Sequence, residues 1–338
     1  MPRCADAARE RDDALAGTAP RGWYWVLIEH RGGWPVNGFD GLDLDPEVAS
    51  GVFAAAQALR ARILLIRRHG PRTREGPGSW AVLRLEGQGR FRQVWGTWED
   101  DADLLQIPEA LERCSRPGSV EEAAAEPVIL VCAHGQHDVC CAIRGRPVAA
   151  ALSERWPEQV WECTHVGGDR FAANVVVLPH GVYYGNLDAN SATTVIEEHL
   201  EDRIGAEHLR GYTDLPPIAQ AAVSVALRRD GPAGRFDYTV TSTSQQDALW
   251  TVGLRGRRPQ QSELEIDLRV SRTAPRRLTC QGPQTSAALV YALEDVRVQQ
   301  PGPGPGRALD HGPDQAPGQE SARPVQDRPG TTRSRRIR

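Results

Sequence analysis

Apolar residues between positions 128 and 187 follow a pattern that predicts strands alternating with helices. The apolar run 128–131 is too short for a helix and follows Pro127, so we expect a buried strand that leads into the loop 132–141. After Pro147, apolar residues recur at helical spacing until Pro157, which predicts a helix. This segment therefore begins as a strand, a cysteine-containing loop and a helix.

A second strand is predicted over residues 160–165. Because side chains alternate along a strand, Cys163 and His165 should leave it on the same face. Gly167 and Gly168 permit a tight turn after it. A hairpin is predicted next, with strands over residues 174–178 and 182–187. A serine-capped helix is predicted over residues 191–200. The whole segment is expected to fold as β-α-β-β-β followed by a helix.

Weaker patterns lie on both sides of this segment. Residues 21–120 contain several apolar runs and one helical stretch, which predict a small α/β layer. Residues 213–298 combine an amphipathic helix over 218–229 with alternating apolar and polar residues that predict a small sheet. The two ends, 1–20 and 299–338, are polar, and the second is rich in proline and glycine. Because they have little to bury, both ends are predicted to be disordered.

The central cysteines and the residues after them resemble a known family. Eight residues separate Cys132 from Cys141, and His165-Val-Gly-Gly runs into Arg170-Phe-Ala-Ala-Asn and then Leu178-Pro-His-Gly. These motifs resemble the sucrase/ferredoxin-like family, over roughly residues 22–298 when weaker similarities are counted. The resemblance implies an α/β protein with a thioredoxin-like ferredoxin core over residues 125–212, flanked by small α/β segments.

The resemblance also implies a [2Fe–2S] electron carrier whose cluster is bound by Cys132, Cys141 and His165. Better-known eukaryotic members have a second histidine where this chain has Asp169, so the fourth ligand is open. Cys163 is favoured, since thiolate suits iron better than carboxylate and Cys163 shares a predicted strand face with His165. Asp169 would then accept a hydrogen bond from the ligand histidine. Cys140 is a more distant candidate.

Two other uses of the cysteines stay open. Zinc accepts tetrahedral cysteine and histidine ligands, although the usual knuckle of two cysteines separated by two to four residues is absent from the sequence. A thioredoxin-like thiol redox protein would carry a Cys-x-x-Cys motif, which is also absent. Sucrose hydrolysis would require a pair of carboxylates around a glycosidic bond, and the matched motifs single out no such pair.

Charge and composition narrow the possible partners. The 338 residues carry a formal net charge of -4, so we expect no nucleic-acid partner. No apolar run approaches the roughly 20 residues that cross a bilayer, and no signal-peptide core is visible, so we expect a cytoplasmic protein without a membrane partner. Its electron donor and acceptor proteins are unknown. Clustered cysteines favour metal or redox use over disulfides, whereas Cys4, Cys114 and Cys280 stand apart and are expected to be incidental.

Overall fold

The computed structural model describes residues 3–70, 75–87, 89–116 and 126–299. Residue 299 ends the last strand, and the rest of the predicted disordered tail, 300–338, lies outside the described residues. The helices are α1 (Cys4–Glu10), α2 (Pro46–Ala58), α3 (Gln106–Ser115), α4 (Val139–Arg155), α5 (Ala189–Leu200) and α6 (Pro217–Asp230). The strands are β1 (Tyr24–Glu29), β2 (Arg62–Arg67), β3 (Gly78–Gly87), β4 (Arg90–Trp98), β5 (Val128–Cys132), β6 (Val160–Cys163), β7 (Val175–Leu178), β8 (Val182–Tyr184), β9 (Leu209–Tyr212), β10 (Tyr238–Gln246), β11 (Leu249–Gly256), β12 (Ser262–Arg272) and β13 (Leu289–Gln299).

A mixed sheet joins the first two predicted segments. Within the described residues it has nine strands in the order β4-β3-β1-β2-β6-β5-β7-β8-β9. Strand β1 is parallel to β2 and antiparallel to β3, and β5 is likewise parallel to β6 and antiparallel to β7. The two halves meet edge to edge, where β2 and β6 pair through Ile66–Cys163 and Arg67–Glu162. The predicted α/β class is confirmed, and the N-terminal layer and the cysteine-rich segment share one sheet.

Side chains of β5 alternate between two cores, as expected for a strand buried on both faces. Ile129 and Val131 belong to a core that includes residues of α4, α5 and α6. Leu130 and Cys132 face a second core that also contains Trp25 of β1. This second core is built by both halves of the sheet, so it holds Cys132 in a rigid, apolar setting.

Helix α1 contradicts the disorder predicted for residues 1–20. Its Cys4, Ala5 and Ala8 side chains are buried, and the Arg9 guanidinium donates a 2.7 Å hydrogen bond to the carbonyl of Ala172. A helix this short depends on tertiary packing, and its apolar face consists of small residues and a cysteine. The sequence prediction is wrong because it relied on large apolar residues.

Helix α4 begins eight residues before Pro147, which the sequence pattern had placed at the helix start. Asp138 caps it, since the carboxylate accepts a 2.9 Å hydrogen bond from the backbone N–H of Cys140. Cys140 and Cys141 therefore lie in the first helical turn rather than in a loop. Gly145 lets α4 approach β5 closely, because a Cβ atom there would lie only 2.1 Å from the carbonyl oxygen of Cys132.

The C-terminal part forms a second sheet, with strand order β10-β11-β12-β13. Helix α6 confirms the predicted helix over 218–229 to within a residue at each end. Its Ala222 and Ala226 pack in the same core as Val252 and Ile266 of the second sheet. Strand β13 was not among the predicted strands. No helix among the described residues is long and apolar enough to cross a membrane.

A buried histidine makes stability depend on pH. The Tyr184 hydroxyl lies 2.7 Å from Nδ1 of His199, and Nε2 lies 2.8 Å from Nδ1 of His180, which fits a neutral His199 protonated at Nε2. Burial lowers the pKa of His199 well below its ordinary value. Stability from this residue is complete above the unfolded pKa of about 6.5 and is lost as the pH falls below it.

We therefore expect the free energy of unfolding in urea to fall between pH 7.5 and pH 5.5, by up to about 1.4 kcal/mol per pH unit for one proton. His199→Gln should reduce this slope because it removes the ionisable ring. An unchanged slope in the variant would assign the pH dependence to other groups.

Candidate functional site

The ends of two neighbouring strands bring three predicted ligands together. Cys132 is the last residue of β5, Cys141 lies in the first turn of α4, and His165 follows β6 by two residues. One ligand atom from each residue lies within 4.8 Å of the other two. Cys132 and Cys141 are almost fully buried, whereas the His165 side chain is 24% exposed. Two thiols and one imidazole, each from a different segment of the chain, thus come together at one point.

Asp169 reaches the same point from the turn after His165. One carboxylate oxygen lies 3.3 Å from Sγ of Cys141 and 2.9 Å from Nδ1 of His165. Nδ1 of His165 is buried and has no hydrogen-bond partner of good geometry among the described residues. Gly167 and Gly168 have φ angles of 90° and 81°, which let the chain turn back at this point. Cys132, Cys141, His165 and Asp169 are called the Cys132 centre below.

The pKa values of Cys132, His165 and Asp169 are all shifted toward the ionised form of the side chain. The pKa of Cys132 lies well below its ordinary value because it is hydrogen-bonded to Cys141 and lies beside His165, which together outweigh burial. Burial lowers the pKa of His165, but contacts with Asp169 and Cys132 offset this and raise the pKa to about 9. Burial raises the pKa of Asp169, and the contact with His165 outweighs it, so the pKa is lowered. The centre therefore contains anionic donors that a metal cation would stabilise.

The structure does not bring Cys163 into the Cys132 centre. It pairs in register with Cys132 across β5 and β6, and it is fully buried. Burial raises its pKa well above the ordinary value. Among the described residues its sulfur belongs to no group of potential metal ligands, and β6 ends at Cys163, so the shared strand face predicted for Cys163 and His165 does not extend to the histidine.

Cys140 points away from its neighbour Cys141. Its sulfur contacts those of Cys4 and Cys280, which the sequence analysis expected to be incidental. Cys114 is buried on α3 in the apolar core of the N-terminal half. The adjacent cysteines of α4 thus face two different clusters, and one of these clusters brings together Cys4 and Cys280, which are far apart in sequence.

His137 is a candidate residue that sequence reasoning missed. Its ring stacks on His165 with 3.8 Å between centroids, and its nitrogen can join His165 and Asp169 around one ion. A cavity of about 640 Å³ opens beside these rings and is lined by His134, His137 and His165. The loop sequence Cys-Ala-His-Gly-Gln-His, with two histidines after a cysteine, was the available signal.

Arg210 fixes the turn that carries the Cys132 centre. Its buried guanidinium donates to the carbonyl of Gly167 at 2.7 Å, to Oδ1 of Asn174 at 2.9 Å and to the carbonyl of Thr18 at 2.7 Å. Burial lowers the pKa of Arg210 to about 10, so it stays charged at neutral pH. The cation therefore holds three segments of the chain together next to the turn at Gly167 and Gly168.

A comparison with known protein families supports the resemblance seen in the cysteine and histidine motifs. Residues 15–211, more than half of the chain, match the sucrase/ferredoxin-like family. The chain belongs to the sucrase/ferredoxin-like family. This confirms the resemblance drawn from the cysteine and histidine motifs, which all lie inside the matched range.

One curated protein is similar to this sucrase/ferredoxin-like chain over a shorter stretch. Altered inheritance of mitochondria protein 32 from Meyerozyma guilliermondii is 25% identical over 105 residues, which cover 28% of this chain and 37% of that protein. The chain thus spans little more than a third of the curated relative. No solved structure matches the chain. Family membership and potential metal ligands of cysteine and histidine type are therefore shown.

Proposed function

We propose that the Cys132 centre binds a [2Fe–2S] cluster and that the protein carries single electrons between redox partner proteins. The observation that supports this most directly is the convergence of Cys132, Cys141 and His165, at the ends of β5 and β6 and the start of α4, with ligand atoms within 4.8 Å of one another. We also propose that this exchange takes place in the cytoplasm, with partner proteins that are not identified.

The donor atoms fit such a group. Thiolate sulfur is the usual ligand of iron in sulfide clusters, and imidazole is a known replacement. Nδ1 of His165 is buried without a well-oriented hydrogen-bond partner, so its lone pair is available once the proton has left. When bound, the cluster supplies one-electron redox chemistry, and imidazole in place of thiolate raises the reduction potential.

We propose Asp169 as the fourth ligand. One carboxylate oxygen lies 3.3 Å from Sγ of Cys141 and 2.9 Å from Nδ1 of His165, whereas the sulfur of Cys163 belongs to no group of potential metal ligands among the described residues. Its lowered pKa keeps the carboxylate ionised at neutral pH. The family resemblance supports the same position, because Asp169 stands where related proteins have a second histidine.

The two cysteines of the Cys132 centre are buried, whereas its histidine is partly exposed. Cys132 and Cys141 are shielded from water by the second apolar core, to which both belong. His165 is the most exposed member and borders the cavity lined by His134 and His137. A partner that docks over this cavity would approach the centre through its histidine side, which favours outer-sphere electron exchange over substrate chemistry.

A structural zinc site is the second candidate. Cys132, Cys141 and His165 offer two sulfurs and one nitrogen, Asp169 adds an oxygen that contacts Cys141 and His165, and zinc accepts such ligands in a tetrahedral set. A thiol redox role is less well supported, because His165 and Asp169 add ligand atoms that a dithiol reaction does not need.

Iron, acid-labile sulfide and zinc counted on one aerobically purified sample test the proposal. We expect a red-brown protein with two irons and two sulfides per chain, since a [2Fe–2S] cluster contains equal numbers of both. Reduction with dithionite should bleach the colour and give an electron paramagnetic resonance signal. A colourless protein from iron-replete cells, with zinc at the Cys132 centre and no sulfide, would contradict the proposal in favour of the structural zinc site.

A further inference from the structure

Three cysteines outside the Cys132 centre meet at a single point. Cys4 opens α1, Cys140 lies in the first turn of α4, and Cys280 lies between β12 and β13. The sulfur atoms are 3.6 Å apart for Cys4 and Cys140, 3.5 Å for Cys140 and Cys280, and 3.5 Å for Cys280 and Cys4. Three elements that are distant in sequence thus place their thiols in a nearly equilateral triangle.

Asp138 adds a carboxylate to this triangle. One of its oxygens lies 3.6 Å from Sγ of Cys4. The carboxylate accepts hydrogen bonds from the backbone N–H of Cys140 at 2.9 Å and of Cys280 at 2.7 Å, and it is fully buried. Each carboxylate oxygen has a second lone pair, so these bonds orient the group and leave it able to bind an ion.

The spacing of these atoms is that of ligands around one tetrahedral ion. A Zn–S bond of about 2.3 Å gives sulfurs about 3.8 Å apart at tetrahedral angles, and a Zn–O bond of about 2.0 Å gives a sulfur–oxygen separation of about 3.5 Å. The observed separations of 3.5–3.6 Å lie within a few tenths of an ångström of these values. A disulfide would join only two of the three sulfurs and would leave Asp138 unused.

We propose that Cys4, Asp138, Cys140 and Cys280 bind one zinc ion, independently of the cluster proposed for the Cys132 centre. The four residues are called the Cys4 centre. The ion would link the N-terminal helix, the cap of α4 and the segment before β13. Three of its ligands are buried, and the partly exposed Cys280 marks the side from which the ion enters.

Helix α4 separates the two centres although their cysteines are adjacent. Consecutive helical residues point about 100° apart, so Cys140 faces Cys4 while Cys141 faces Cys132. Each centre can therefore be removed without deleting a ligand of the other.

Metal analysis of four full-length proteins tests this proposal. Wild type, Cys4→Ser/Cys280→Ser, Cys132→Ser/Cys141→Ser and the control Cys114→Ala are purified from cells supplied with zinc and iron. We expect one zinc per chain in all except Cys4→Ser/Cys280→Ser, which should lose that zinc and keep its iron and sulfide. Retained visible absorption shows that this variant still folds around the other centre.

Zinc-edge X-ray absorption of the wild type gives a test that needs no variant. The Cys4 centre predicts three sulfur ligands and one oxygen ligand, whereas zinc at the Cys132 centre would show two sulfurs with nitrogen and oxygen. Zinc that persists in Cys4→Ser/Cys280→Ser, zinc that is lost only with Cys132 and Cys141, or a wild type that holds no zinc and has a disulfide between two of the three cysteines would each overturn the proposal.

Discussion

Replacing either cysteine of the Cys132 centre should remove the proposed [2Fe–2S] cluster completely. Cys132→Ser and Cys141→Ser each delete a thiolate from the proposed set of four donors, and a serine hydroxyl is a much poorer ligand than a thiolate for iron in a sulfide cluster. The purified variants should therefore be colourless, with iron and sulfide reduced to background. Iron, sulfide and visible absorption measured per chain check this result.

Matched variants at the other buried cysteines control this experiment. Cys114→Ala removes a thiol that lies in the core of the N-terminal half, and Cys163→Ala removes the neighbour of Cys132 on β6. Both should keep iron and sulfide, while Asp169→Ala should lose them. Loss of the cluster in Cys163→Ala, with retention in Asp169→Ala, would return the fourth ligand to Cys163.

Gly145→Ala should destabilise the protein and disturb the Cys132 centre together. The added Cβ would lie 2.1 Å from the carbonyl oxygen of Cys132, so α4 must move away from β5. Because backbone atoms cannot yield as a flexible side chain does, we expect a loss of roughly 3 kcal/mol in the free energy of unfolding. Urea unfolding and iron content measure the two effects.

Gly51→Ala in α2 is the matched control. Its added Cβ would meet a Leu105 methyl group at 3.6 Å, an ordinary contact, and alanine favours the helix by about 1 kcal/mol over glycine. This variant should be as stable as the wild type or more stable. Equal stability in both glycine variants would show that α4 adjusts to a side chain at Gly145 without cost.

Local sequence patterns predicted much of the fold. The apolar run before Cys132 and the amphipathic run before Gly231 identified β5 and α6, because periodicity reports burial directly. Helix α4 was predicted to start too late, since Pro147 suggested a first turn while the Asp138 cap fixed an earlier one. The hairpin after Gly168 was found because β7 and β8 are short, apolar and adjacent in sequence.

Long-range pairing could not be predicted in the same way. Nothing local indicates that β2 joins β6, or that Cys4 lies beside Cys280. The position of Asp169 depends on the turn at Gly167 and Gly168, whose shape brings the carboxylate back to His165. Sequence reasoning therefore selected Cys132, Cys141 and His165, which the structure brings together, but it could not tell that Asp169 rather than Cys163 lies beside them.

The short pairing of β2 with β6 protects the cysteine-rich half from other chains. Without β2, the backbone groups of β6 would form an open edge, and Glu162 would lose the Arg67 guanidinium that lies 2.9 Å away. Open edges recruit strands from neighbouring molecules. The N-terminal half thus covers the edge of β6, and strands of other molecules cannot pair with the sheet next to Cys163 and the adjoining end of β5.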